Sequence, residues 1–150
     1  MTQRPVTAVI VGCGHRALKY ASYARERPDR LQIVGVADTV KGRRDAAAVS
    51  FGLPADRCFG SAEELASVPR FADAVINGIM DHQHVPTAMP LLAAGYDMLL
   101  EKPLATAEEE MWDLVEARRR SGRKLMICHV LRYAPFYTAI KERLAAGQIG

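Results

Sequence analysis

Gly12, Gly14 and Ala17 fall at G-x-G-x-x-A spacing in "VIVGCGHRA", after an apolar run and before a helical stretch. In that setting Gly12 permits a tight turn and Gly14 lets a diphosphate reach the backbone. Ala17 lets helix and strand pack closely. The free N–H groups at the helix start then face the anion. The turn of Gly12, Cys13, Gly14, His15 and Arg16 is therefore a candidate phosphate cradle. The alternative is a strand-to-helix turn without a ligand, with His15 and Arg16 solvated. Asp38 ends the next apolar run, "LQIVGVAD". A carboxylate there accepts from both ribose hydroxyls of an adenosine and repels a 2′-phosphate, which favours NAD over NADP. Arg43 and Arg44 follow closely. They could hold a 2′-phosphate, but they read more simply as exposed helix residues.

Two further stretches follow apolar runs. In "NGIMDHQH", Met80, Asp81 and His84 stand where loops at strand ends line a ligand crevice, with Asp81 as a plain helix cap the alternative. His82 reads as exposed. "DMLLEKPLA" sets Glu101, Lys102 and Pro103 side by side after a short apolar run. A core strand does not end on two opposite charges beside a residue that cannot donate to a sheet. His129 and Arg132 also follow a strand-like run and open on the same side.

The elements that must position these residues alternate. Runs at Val6–Val11, "LQIVGVAD", "DAVINGI", "YDMLLE" and "KLMICHV" read as strands. Helical stretches separate them: "ALKYASYARER", "KGRRDAAAVSFG", "SAEELA", "HVPTAMPLLAAG", a segment ending near Ser121, and a last helix "APFYTAIKERLAAG". Ser61 with Glu64, and Thr106 with Glu109, have capping-box spacing. Pro90 predicts a kink or a late start for its helix. Trp112 reads as a packing residue. The alternation predicts an α/β fold, a Rossmann-type doubly wound parallel sheet with helices on both faces, in strand order 3-2-1-4-5-6 or a close variant.

Composition excludes other classes. The chain has 150 residues, 49% hydrophobic and 25% charged, with net charge +3. That suits one globular domain and argues against disorder. No apolar run reaches the roughly 18 residues of a membrane span, and no signal peptide pattern is visible. A cytoplasmic location is the default. Arg118, Arg119, Arg120, Arg123 and Lys124 read as a solvated helix end, and nothing else suggests nucleic acid. Cys13, Cys58 and Cys128 are odd in number and lack metal spacing. Cys13 and Cys128 read as small buried hydrophobes, and no metal is expected.

"VGCGHRA", "VADTVKGRR", "HVPTAMPLLAAG" and "LLEKPLA", in that order, resemble the Gfo/Idh/MocA oxidoreductases. The tail "HVLRYAPFYTAIKERLAAGQIG" is similar to the segment where that family's first domain hands over to its second. The resemblance covers the whole chain and implies a dinucleotide-binding domain over residues 1–150, with a C-terminal substrate domain outside it. It places Glu101 and Lys102 beside a nicotinamide, Lys102 bonding a substrate hydroxyl as hydride leaves. It also admits a cis Lys102–Pro103 bond. A cofactor would lie across the carboxyl ends of the first and fourth of these strands, bordered by Gly12, Gly14, Asp38, Asp81, His84, Glu101 and Lys102. The implied reaction is NAD-dependent hydride exchange with a secondary alcohol of a sugar- or polyol-like molecule, in a chain able to self-associate. Residues 1–150 alone are expected to be inactive. The family usually carries Thr-Pro-Asn where this chain has Ile79, Met80 and Asp81. A non-catalytic NAD-binding module and an NAD-dependent glycoside hydrolase of the same fold remain alternatives.

Overall fold

The computed structural model describes residues 4–149. Its strands are β1 (Val6–Val11), β2 (Leu31–Ala37), β3 (Cys58–Phe59), β4 (Ala74–Asn77), β5 (Asp97–Leu100) and β6 (Leu125–Ile127). All pair in parallel, in the order β3-β2-β1-β4-β5-β6. The helices are α1 (His15–Ala21), α2 (Tyr23–Glu26), α3 (Lys41–Phe51), α4 (Ala62–Ser67), α5 (His84–Ala93), α6 (Glu108–Ser121) and α7 (Pro135–Ala145).

The sheet is apolar on both faces because both are covered. One core joins Ala8, Ile10, Ile33 and Val36 to Ala17 and Ala21 of α1 and Ala47 of α3. The other joins Val9, Val75, Met98 and Leu100 to Leu65 of α4, Leu91 and Leu92 of α5 and Leu114 of α6. Each of these fully buried leucines contributes about 1.5–3 kcal/mol relative to exposure.

Several details differ from the sequence expectation. β3 is an additional strand of only two residues, too short to show a period. The first helical stretch is broken at Ser22 into α1 and α2. α5 starts at His84 and runs through Pro90, so there is no late start. Ser61 caps α4 by accepting from Glu64 N–H at 3.2 Å, and the Glu64 carboxylate reaches Gly60 N–H. The second capping box does not form: Ala107 is the N-cap of α6, and Thr106 bonds Glu110 instead. Trp112 is 62% exposed on α6 and packs into neither core. β6 is half-covered, with Met126 exposed.

The amino-terminal edge of the sheet is pinned by Asp73. Its carboxylate accepts from Arg4 at 2.7 and 2.6 Å and from Thr7 N–H and Oγ1–H at 2.9 Å. These donors, Arg4 first, hold its pKa well below the usual carboxylate range. A depressed pKa stabilises the fold at pH values above the unfolded value of about 4, and that stability is lost as pH falls below it. Asp73→Asn should therefore cost about 1–2 kcal/mol in urea melts at pH 7, with the gap to wild type closing toward pH 3. A gap that stays constant over that range would remove the carboxylate from the account.

Candidate functional site

Strand register builds the site. Ala37, Val11, Asn77, Leu100 and Ile127 are mutual partners across β2, β1, β4, β5 and β6. The residue after each is Asp38, Gly12, Gly78, Glu101 and Cys128. Pairing thus brings the acid, the glycine turn and the E-K-P stretch to one edge. Asp38 and Glu101 are three strand spacings apart, about 14 Å. The chain order reverses between β1 and β4, where parallel α/β sheets open a crevice at their carboxyl ends.

A cleft of about 360 Å³ lies there, bordered by Gly12, Gly14, Asp38, Arg43, Met80 and His82. Gly12 has φ +79° and needs no side chain, since a Cβ would collide with Ile79. Gly14 differs. Its backbone is extended, and a Cβ built on it meets nothing within 4 Å. The space in front of Gly14 is open, so a diphosphate can approach the backbone there.

Asp38 is 8% exposed, and each carboxylate oxygen takes one backbone donor. Oδ2 accepts from Cys13 N–H and Oδ1 from Val40 N–H, both at 2.7 Å. One carboxylate thereby fixes the glycine turn and the turn into α3. A carboxylate has about four acceptor sites, so two remain for a pair of ribose hydroxyls. Arg44 donates to the Asp38 carbonyl at 2.6 Å, while Arg43 is exposed at the cleft. Cys13 is buried, and burial first, then the Asp38 charge, push its thiol up to about 12. Its part in the site is its N–H, not a reactive sulfur.

The opposite end is built on Glu101, 6% exposed. Oε1 accepts from Tyr20 O–H at 2.6 Å and Oε2 from Lys102 N–H at 2.7 Å. Lys102 itself is exposed, and the Lys102–Pro103 bond is cis. The charges come where β5 ends, at the carboxyl edge of the sheet.

His84 is fully buried, so its place is beneath the E-K-P turn rather than on the crevice wall. Nδ1 lies 2.6 Å from the Pro103 carbonyl, which can only accept, so Nδ1 carries the proton. Nε2 is buried without a protein partner among the described residues. His15, Arg16 and Asp81 are exposed and do not line the cleft, though each lies within two residues of one that does, and Asp81 opens a short turn without capping a helix through its side chain. His129 and Arg132 are exposed beyond β6 and form no side-chain hydrogen bond or ion pair with Glu101 or Lys102; Arg132 lies in a separate groove with Leu131, Tyr137 and Lys141.

Two polar residues escaped the sequence reading. Asn77, 1% exposed at the end of β4, donates to Thr87 at 3.0 Å, and its Oδ1 has no partner among the described residues. A polar residue closing the run "AVIN" was the available signal. Tyr20 carried none, because it lies in a helix far in sequence from Glu101. Among the described residues no group of side chains could hold a metal ion, and no helix is long and apolar enough to cross a membrane.

A family model described as "Oxidoreductase family, NAD-binding Rossmann fold" matches residues 6–129. The chain is 32% identical over 141 residues to an uncharacterized oxidoreductase, ORF334, of Rhizobium meliloti, covering 94% of this chain and 41% of that protein. It is 31% identical over 152 residues to inositol 2-dehydrogenase 2 of Saccharopolyspora erythraea, with the same coverage of 94% and 41%. The WlbA dehydrogenase of Bordetella pertussis, solved with NADH and UDP-GlcNAcA, superposes with a TM-score of 0.89 at 25% identity, covering 98% of this chain and 44% of that one. The chain thus spans about two fifths of the length of these curated relatives.

Proposed function

The chain belongs to the oxidoreductase family with an NAD-binding Rossmann fold, and on that premise we propose that it is the cofactor-binding part of a dehydrogenase acting on a secondary alcohol of a sugar or polyol. The observation that carries this reading is the single edge that joins open space before Gly14, a half-used Asp38 carboxylate and an exposed Lys102. The similarity to an inositol dehydrogenase and to a dehydrogenase solved with a nucleotide sugar supports the substrate class.

The residues take these roles. The open face of the Gly12–Arg16 turn and the N–H groups from Gly14 onward hold the diphosphate, those of Gly12 and Cys13 being bonded to Ala37 and Asp38, and Asp38 accepts from the adenosine ribose. Met80 and Asp81 flank the middle of the dinucleotide. His84 holds the turn that presents Lys102. NAD, when bound, accepts the hydride. Lys102 bonds the substrate hydroxyl and steadies it as its proton leaves. Arg132 stands at the far side of this edge and is proposed only as a contact for the outer end of the ligand.

Hydride transfer needs the reacting atoms about 3–3.5 Å apart, and such positioning supplies on the order of 7–11 kcal/mol. One wall cannot do this. α7 buries none of its residues, Phe136 among them, and Met126 of β6 and Leu131 and Tyr133 ahead of α7 are also exposed. We propose that a second domain, in the length by which the relatives exceed this chain, covers that face and closes the site. Residues 1–150 by themselves then bind cofactor without turnover.

Titration of the full-length protein with NAD and NADP, followed by 340 nm absorbance with a panel of inositols and sugars, tests the function. NAD reduction by a polyol supports it; NAD binding with no reduction by any of them favours a binding module. NAD should bind more tightly than NADP, and Asp38→Ser should narrow that gap by about tenfold or more, through loss of repulsion at the 2′-position. Tighter NADP binding by the wild type would overturn the preference.

A further inference from the structure

We propose that Tyr20 is a positioning residue for Lys102, acting through Glu101; the proposal rests on the reading of Lys102 above. Tyr20 lies in α1, the helix that begins beside Gly14, and donates across the sheet edge to Glu101 Oε1 at 2.6 Å. Glu101 is buried, and its other oxygen holds Lys102 N–H at 2.7 Å. A buried carboxylate with both oxygens engaged has one orientation. Lys102 inherits it, because its backbone is fixed by Glu101 on one side and by the His84 bond to the Pro103 carbonyl on the other.

The link also joins the two ends of the crevice. The helix that receives the diphosphate and the strand end that presents the ammonium share one hydrogen bond, made by residues 81 positions apart. The titratable groups at this point are Tyr20, Glu101, Lys102 and Cys128. Cys128, which follows the end of β6, is buried. Burial, and then the bond to Glu101, hold the Tyr20 phenol above its usual range. It therefore stays a neutral donor to Glu101.

Tyr20→Phe keeps the ring and its packing and deletes only the donor. One Glu101 oxygen then loses its partner, and the turn that presents Lys102 is no longer held in one orientation. With the full-length protein and a polyol substrate, kcat should fall by about tenfold or more while KM holds. NADH affinity, read by fluorescence, should stay within about threefold, because no contact to cofactor is deleted. In a Lys102→Ala background the same substitution should cost no further activity, because the hydroxyl acts only through the lysine. Wild-type kcat in Tyr20→Phe, including where only the melting temperature changes, overturns the proposal, as does an equal loss of kcat with and without Lys102. Full activity in Lys102→Ala alone would instead overturn the functional reading.

Discussion

Lys102→Ala, made in the full-length protein, should lower kcat with a polyol substrate by about 10²–10⁴-fold, the range expected when a positioned proton-handling group is removed. NADH affinity should change by no more than about threefold, because the side chain acts on the substrate hydroxyl rather than on the dinucleotide. The fold should not suffer. Lys102 is exposed, and the bond that orders the turn uses its backbone N–H, which alanine keeps. Urea melts should therefore overlay those of wild type. The kcat-against-KM split separates this role from simple substrate binding, since lost ground-state binding raises KM with kcat intact. Retention of full turnover by the alanine variant would sink the assignment of E-K-P to chemistry and return Glu101 and Lys102 to a structural turn.

Gly14→Ala should weaken NAD binding by about 10–100-fold, the equivalent of overfilling a close contact by roughly 1–3 kcal/mol. Stability should hold or rise slightly. Gly14 has φ −81° and ψ 174°, which alanine adopts freely, and a Cβ there meets no protein atom within 4 Å. Reducing the freedom of the unfolded chain at such a site contributes about 0.4–1 kcal/mol in favour of the fold. The added methyl occupies only the space through which a diphosphate would reach the backbone. Gly12 offers no such clean test. Its φ of +79° and the collision of a Cβ with Ile79 would damage the fold itself. Wild-type NAD affinity in Gly14→Ala, measured by calorimetry, would mean that the cofactor does not approach this turn.

What was legible in the sequence was whatever depends on neighbours in the chain. The five longer strands show as apolar runs, the glycine spacing shows with its flanking strand and helix, and the stops at Gly52 and Gly122 show because each adopts a left-handed conformation. The strand order follows from alternation, because parallel strands need crossovers of one hand. The candidate residues Gly12, Gly14, Asp38, Glu101 and Lys102 were visible for a related reason: each directly follows a strand or the turn it opens.

Tertiary structure decided what depends on distant partners. β3 exists because Cys58 and Phe59 find Val36 and Ala37, not because two residues have a period. Pro90 sits within a continuous α5 because that helix is buried along one face, and packing outweighs one missing hydrogen bond. Thr106 turned from Glu109 to Glu110, a choice of a single helical position that spacing rules do not resolve. His84 went beneath the crevice because the Pro103 carbonyl needed a donor there. Trp112 stayed exposed because no described element covers its face of α6. Tyr20 met Glu101 only because β1 and β4 are neighbours, which carries α1 over the end of β5. Local periodicity fixes which segments fold and where they stop; the partner of a polar side chain is set by strand order, and no short stretch of sequence contains it.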